Sequence, residues 1–327
     1  MKITVCHSHQ EKCGIHEYGM QLDRSLNLFG VEVAACDFGT IERGIDDMEY
    51  GGILLVHYEP GLVHSGYLSG HLRRARAKGA RILFCCHWYD HDYMREYDGL
   101  VDQFVVHRNY APRHENSTVI PLGCPVYATS ESRAELRARL RLPEDATVLT
   151  TIGFLTRWKC MPEITAAMLV AIAPHPKLFM HIHTPWPFNT ADAHVDEPRI
   201  RTLVDDHPRV RFSTRFLPER DTLDIARAAD LGFVYHSIHT GSVSAATKQF
   251  VSARRPLVIT ASNHVSDLQG VERVNSFDPD AFARAVVDVA RSPERLTTLQ
   301  TQAEAEYDRL NMHATARQYI ALFRSFD

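Results

Sequence analysis

The apolar positions of the chain fall first into a series of short runs: "KITVC", "VEVAACDF", "GGILLVH", "RILFCCH", "DQFVVH" and "STVIPLG". Most are rich in β-branched residues and bounded by turn or polar residues, which predicts strands. Between them "YGMQLDRSLNLFG" and "GYLSGHLRRARAKGA" read as helices. The first carries apolar residues near helical spacing and ends in a glycine suited to a C-cap. Strand alternating with helix predicts a parallel sheet covered on both faces. The polar, charged stretch "ATSESRAELRARLRLPEDA" interrupts this rhythm, and a second series follows it. There "TVLTTIGF", "KLFMHIH", "RVRFSTRFL", "DLGFVYH" and "RPLVIT" read as strands, with "DTLDIARAA", "AATKQFVSA" and "DAFARAVVDVARS" as helices. "HATARQYIALFRSFD" is one more amphipathic helix, and neither a fixed-period repeat nor a low-complexity tract occurs.

Length turns two series into two domains, because 327 residues exceed what one core usually covers. The expected division is 1–135, 136–310 and a final helix over 311–327. Two doubly wound sheets present two sets of strand carboxyl ends, and ligands bind outside such ends, so an interdomain cleft is the expected site.

Composition narrows the classes. Hydrophobic residues at 45% and charged residues at 23% are ordinary for a globular protein. No apolar run approaches the roughly 20 residues needed to cross a bilayer. "MKITVCHSHQ" enters a strand directly, without the features of a signal peptide, so a cytoplasmic location is expected. Cys6, Cys13, Cys36, Cys85, Cys86, Cys124 and Cys160 are odd in number and contain no CxxC pair. That supports neither a disulfide framework nor a thiolate zinc site, and no metal is expected. A formal charge of −4 gives no field for nucleic acid. The basic run "HLRRARAKGAR" suits a solvated helix end, where cations complement the dipole; its other reading is a contact with an anionic acceptor or membrane surface.

The candidate chemistry lies at strand ends. In "HSHQEKCGIHEYG", Gly14 stands before a helix, where backbone can approach a ligand and helix-start N–H groups can hold phosphate. The absence of GxGxxG argues against a nicotinamide dehydrogenase. "VHYEPGL" puts His57, Tyr58 and Glu59 at a carboxyl edge, and "FCCHWYD" does the same with His87 and Asp90. Histidine there can act as acid, base or hydrogen-bond donor, although a histidine at a strand end is more often structural.

Taken in order, several peptides resemble family-4-type glycosyltransferases. "CGIHEYGMQL" is similar to their "CGIA" loop, "LLVHYEPGL" to "HIQHEYGIF", and "FCCHWYD" to "TLHT". "VIPLGCP" is similar to "VIPHG", "ARAADLGFVYH" to "AADLVVLPY", and "GSVSAATKQFVSARRPLVIT" to the donor loop, helix and strand ending "GKPVVAT". The resemblance implies an α/β GT-B fold of two Rossmann-like domains and a retaining, metal-independent transfer, of hexosyltransferase type, from a nucleotide-diphosphate sugar, the sugar nucleotide being substrate and no cofactor being required. The acceptor is unidentified, with the first domain expected to hold it through His57, Tyr58, Glu59 and Asp90, and the resemblance implies that the final helix packs back on that domain. It further implies that His87 sits beside the transferred sugar, that Gly14 and Ile15 lie beneath the diphosphate, and that Lys159 neutralises it.

Two departures stand out. The family arginine is Phe154 here, with Arg157 in the same turn as a substitute, and the two glutamates of the E-x7-E element correspond to Gly241 and Gln249. Ser242, Val243 and Ser244 with their backbone amides, the start of the helix bearing Lys248, and Gln249 remain as donor ligands. The missing carboxylates keep open a nucleotide-sugar- or glycan-binding protein without transfer activity; a sugar-nucleotide epimerase on the same architecture is the other alternative. "DHD" at Asp90–Asp92 mimics a metal-binding DxD outside its proper context, and the "HSH" and "HIH" pairs lack an evident third ligand.

Overall fold

The structure, a computed structural model, describes residues 1–8, 13–187, 191–237 and 241–326. The chain forms two compact units. Unit 1 comprises residues 1–123, 241–243 and 310–327, and unit 2 comprises residues 124–240 and 244–309. The first unit therefore ends before the expected 135. Residues beyond 123 are tied to the second unit: Tyr127 donates its hydroxyl to Asp224 at 2.6 Å, and Ser252 donates to the Pro125 carbonyl at 2.5 Å.

In unit 1 the order is β1 (Lys2–His7), α1 (Gly14–Leu28), β2 (Glu32–Asp37), α2 (Ile41–Asp47), β3 (Ile53–Tyr58), α3 (Ser65–Ala77), β4 (Arg81–Cys86), α4 (His91–Arg95), β5 (Gln103–Val106) and β6 (Ser117–Val119). The strands pair in the order β2-β1-β3-β4-β5-β6, all parallel. Alternation assigns each strand residue to one of two cores. Leu54, Val56, Tyr58, Phe84 and Cys86 pack with Ile41, Leu68, Leu72 and Met94 of α2, α3 and α4. Ile53, Leu55, Leu83 and Cys85 pack with Leu22 and Leu26 of α1 and with Met312, Tyr319 and Phe323 near the chain's end. Fully burying one such leucine contributes roughly 1.5–3 kcal/mol, and both faces are filled this way.

Unit 2 contains α5 (Arg133–Arg139), β7 (Thr147–Ile152), α6 (Met161–Ile172), β8 (Leu178–His183), α7 (Ala191–Val204), β9 (Val210–Ser213), α8 (Glu219–Ala228), β10 (Leu231–Val234), α9 (Ala245–Ser252), β11 (Leu257–Thr260), β12 (Glu272–Val274), α10 (Pro279–Ala290) and α11 (Pro293–Leu310). Its sheet order is β12-β11-β10-β7-β8-β9, again all parallel. The final helix, α12 (Met312–Arg324), packs on α1 within unit 1.

The charged stretch before β7 becomes α5, started by a capping box between Ser132 and Glu135. Its Arg137 donates to the Ala228, Glu144 and Ala146 carbonyls and pairs with Asp230 at 2.5 Å. The basic run ends α3, where its charges find local partners. Arg74 pairs with Glu42 and Asp46, Arg76 with Asp102, and Lys78 donates to the Ile45, Asp46 and Met48 carbonyls. No described helix is long and apolar enough to cross a membrane.

Candidate active site

In each sheet the strand order reverses at one point, between β1 and β3 in unit 1 and between β7 and β10 in unit 2. A doubly wound sheet leaves a crevice beyond the strand carboxyl ends at such a point, because the flanking helices depart to opposite faces.

At the unit 1 edge, neighbouring strands β1, β3, β4 and β5 end within one residue of His7, His57, His87 and His107. His57 Nδ1 lies 3.0 Å from His87 Nε2, and the His87 amide donates to the Tyr58 carbonyl. Burial pushes the pKa of His87 well below that of a free imidazole, and the neighbouring His107 and His57 add to this; for His57 the additions come from His7 and His107. Both rings are therefore neutral at neutral pH and act as hydrogen-bonding groups. For His7, burial opposes the charge, but Asp23, 3.4 Å from Nε2, raises the pKa overall. Gly19 of α1 permits that approach, since a Cβ there would come within 3.2 Å of the His7 ring. Tyr18 stands edge-on to His57, His87 and His107, with ring centres 5.7, 5.1 and 5.8 Å away.

Other residues expected at this edge have different positions. Tyr58 has the opposite strand parity from His57, is completely buried, and donates no bond to the edge; its hydroxyl meets that of Tyr97 at 3.2 Å within the α2–α4 core. It is excluded as an acceptor ligand. Asp90 caps α4 by accepting from the Asp92 and Tyr93 amides, so one of its carboxylate oxygens is already engaged. Glu59 folds over the following turn toward Gly61, and burial raises its pKa. Gly14 is exposed and has open space where a Cβ would stand, and Ile15 beside it is half-buried in the first turn of α1. His9 of the "HSH" pair lies outside the described residues.

At the unit 2 edge Lys159 occupies a short 3-10 turn, Arg157–Lys159, after β7. The residue is 8% exposed, and its ammonium donates to the Phe154 carbonyl at 2.8 Å and has no carboxylate partner among the described residues. Burial lowers its pKa to about 7. Gly153, at φ +123°, makes room for it: a Cβ there would lie 2.5 Å from Lys159 Nζ and 2.8 Å from Ala246 Cβ. Lys159 thus approaches the first turn of α9, whose N-cap, Ser244, leaves the helix without a side-chain cap. Arg157 is exposed on the same turn. His236, whose pKa is depressed first by burial and then by His264 and Lys159, stands 4.6 Å from the His264 ring. His183 is buried with neither ring nitrogen bonded.

The remaining expected donor ligands have surroundings of their own. Lys248 is buried at 2% and ion-paired with Asp267 at 2.6 Å, which removes its charge as a phosphate ligand. Gln249 has its Oε1 buried without a partner. Gly241, Ser242 and Val243 belong to unit 1: Trp88 and Ser242 form an antiparallel bridge, Gly241's carbonyl accepts from the Tyr89 amide and the Tyr110 hydroxyl, and Val243 is buried in the α1/α12 core. A Cβ at Gly241 would lie 2.4 Å from the Tyr89 carbonyl oxygen. No glutamate fits at this position.

No family model matches the chain, and no curated protein does. Solved structures do. HepE from Anabaena in complex with UDP and glucose is 14% identical, with 99% of this chain and 100% of that one covered at a TM-score of 0.76. The fold is GT-B. An E. coli trehalose-6-phosphate structure bound with UDP-2-fluoro glucose is 12% identical over 99% of each chain at 0.70. Alpha,alpha-trehalose 6-phosphate synthase from Burkholderia multivorans is 15% identical, covering 88% of this chain and 75% of that one at 0.63.

Within this GT-B chain the pattern of motifs singles out neither His107, Cys85, His236 nor His264, and His7 and His183 enter it only through the "HSH" and "HIH" pairs. A signal was present for most of them. The runs "ITVCH", "ILLVH", "LFCCH", "QFVVH", "FMHIH" and "GFVYH" all finish in histidine, and the two from which site residues were drawn were part of a wider pattern.

Proposed function

We propose that this protein transfers a sugar from a nucleoside-diphosphate sugar to an acceptor, with the diphosphate held by unit 2. The observation that carries the proposal is Lys159: a buried lysine without a carboxylate partner among the described residues, beside the uncapped start of α9, at the carboxyl edge of a parallel sheet where strand order reverses. Burial of an unpaired cation costs free energy unless an anion completes the site, and a diphosphate supplies that charge. The GT-B neighbours bound to UDP and to a UDP-sugar analogue point to a uridine nucleotide as the first donor to test. Arg157, Gly14, Ile15 and Ser244 are assigned to the donor as well.

His87 is assigned to the sugar. Its Nε2 is turned to His57 and Cys85, so Nδ1 is the nitrogen for a sugar hydroxyl. Transfer is taken to retain configuration, with cationic groups and the helix dipole in place of a metal at the diphosphate. Seven free cysteines suit the reducing cytoplasm.

Incubation with UDP-sugars and other nucleotide sugars, together with an acceptor panel, tests the proposal through release of nucleoside diphosphate. Binding without release would instead support a sugar-nucleotide-binding protein. The observation behind that second reading is that glycine replaces the first glutamate and is held against Tyr89 and Tyr110. Conversion of the sugar nucleotide without release would mark an epimerase.

A further inference from the structure

Three of the four histidines at the unit 1 edge gather around one thiol. Cys85 Sγ lies 3.6 Å from His87 Nε2 and 3.6 Å from His107 Nε2, and His87 Nε2 lies 3.0 Å from His57 Nδ1. The ligating atoms of His57, Cys85 and His87 all fall within 4.8 Å of one another, and no other such group occurs among the described residues. Residues 85 and 87 share a strand face, and β3 and β4 pair with His57 opposite Cys85, so sheet register itself builds the cluster.

The separations of 3.6 Å from Cys85 Sγ to His87 Nε2 and 3.0 Å from His87 Nε2 to His57 Nδ1 lie near those of a tetrahedral centre. With Zn–N near 2.0–2.1 Å and Zn–S near 2.3 Å, neighbouring N and S ligands stand about 3.5 Å apart and two nitrogens about 3.4 Å apart. The surroundings also suit such a centre. His107 Nδ1 is 3.0 Å from the Ile120 carbonyl, which fixes the tautomer with an Nε2 lone pair toward the sulfur. Tyr319 donates its hydroxyl to Cys85 Sγ at 3.1 Å, a contact that stabilises a thiolate. Outer partners of this kind are usual around ligated histidine and cysteine. As a hydrogen-bond network the cluster is incomplete, because His57 is fully buried with no partner for Nε2 and its bond to His87 is shared with the demands of Cys85.

We propose that His57 Nδ1, Cys85 Sγ and His87 Nε2 bind a zinc-type divalent cation as its three protein ligands. Cys85 gives its proton to solvent and bonds as thiolate, the imidazoles bond through neutral lone pairs, and the centre carries one net positive charge. Nitrogen and thiolate donors favour zinc over magnesium or calcium. Ligation through Nε2 holds the His87 proton on Nδ1, the nitrogen assigned above to the sugar. The inference itself does not rest on sugar transfer, because metal content is read without a donor.

The test uses the untagged full chain, loaded with zinc and freed of excess by gel filtration. The expected result is about one zinc per chain by mass spectrometry, falling at least about tenfold in Cys85→Ser. Cobalt added to the metal-free chain should produce a thiolate-to-cobalt charge-transfer band that Cys85→Ser lacks. X-ray absorption at the zinc edge of the unmodified chain should show one sulfur with nitrogen neighbours, so the outcome does not depend on whether a variant folds. No bound metal, a zinc shell without sulfur, or a folded Cys85→Ser chain that keeps both zinc and the cobalt band would overturn the proposal.

Discussion

At the carboxyl edge of the first sheet the side chains are neutral imidazoles and a thiol in mutual hydrogen-bond reach; at the same edge of the second sheet they include a lysine with only a carbonyl to bond. Both sheets have six parallel strands and one reversal of order, so topology alone does not distinguish these edges. The difference lies in which charges are compensated. Two lysines of unit 2 make the same point at closer range. Lys248 and Lys159 are both buried, yet Lys248 meets Asp267 at 2.6 Å and Lys159 meets no described carboxylate. Removing one partner of a buried ion pair typically costs about 3–5 kcal/mol because the other charge is left uncompensated, so Lys248 is committed to Asp267. The unpaired Lys159 is available to a ligand's charge.

The largest effect expected from this contrast is at Lys159. Lys159→Ala should weaken nucleoside-diphosphate binding by about 1.5–3 kcal/mol, roughly ten- to hundredfold, while leaving the nucleoside almost unaffected. Titration calorimetry with both ligands separates the two, and equal losses would mean that Lys159 does not touch the phosphates. On the other edge His87→Ala should lower kcat by at least about tenfold, equivalent to about 1.4 kcal/mol, with nucleotide affinity retained. A variant that keeps full turnover per folded molecule would remove His87 from the chemistry.

Stability against acid should follow the buried histidines of unit 2. Burial lowers the pKa of His183 to about 4 and that of His181 to about 3, the latter also through His183 and Arg211. Unfolded histidine takes up protons below its usual value of about 6.5, whereas these folded rings do not, so stability is lost as pH falls from about 6.5 toward 4. Each ring contributes about 1.4 kcal/mol per pH unit in that window. Urea unfolding at neutral and mildly acidic pH checks this, and His183→Gln should flatten the dependence; an unchanged slope would contradict it.

A smaller effect concerns protons. Lys159 titrates at about 7 when free, and an adjacent diphosphate favours its charged form, so binding at mildly alkaline pH should take up close to one proton. Calorimetry in buffers of differing ionisation heat measures the uptake, which Lys159→Ala should abolish. The smallest effect is expected from adding magnesium or manganese to the transfer reaction. With the diphosphate met by protein cations, turnover should stay the same, and strong stimulation by either ion would place a metal at the phosphates.

Part of this site could be read in the one-dimensional pattern. Histidine recurs at strand ends, a local feature marked by where apolar runs stop, whereas Lys159 is pointed to by the family resemblance alone. The assignment of Tyr58 failed for a reason that strand parity makes plain: successive residues face opposite sides, and alternation does not say which side lines the edge. Lys248 failed for another reason. Its partner Asp267 is 19 residues away and approaches only when α9 and the segment after β11 pack together.

Alternation of short β-branched runs with amphipathic segments determined two parallel α/β sheets and the strand ends that carry histidine, since periodicity and turn residues act within a few positions. Tertiary structure decided which of those residues share a site and which carry charge. Tyr319 reaches Cys85 across 234 positions, and the Gly241 carbonyl is taken up by Tyr110 across 131. Such meetings depend on distance in space, and so does the burial that keeps His57 and His87 neutral and brings Lys159 to about 7. Solvation and pairing of a charge are properties of its folded surroundings, so the sequence supplied the ionisable groups and the packing set their state.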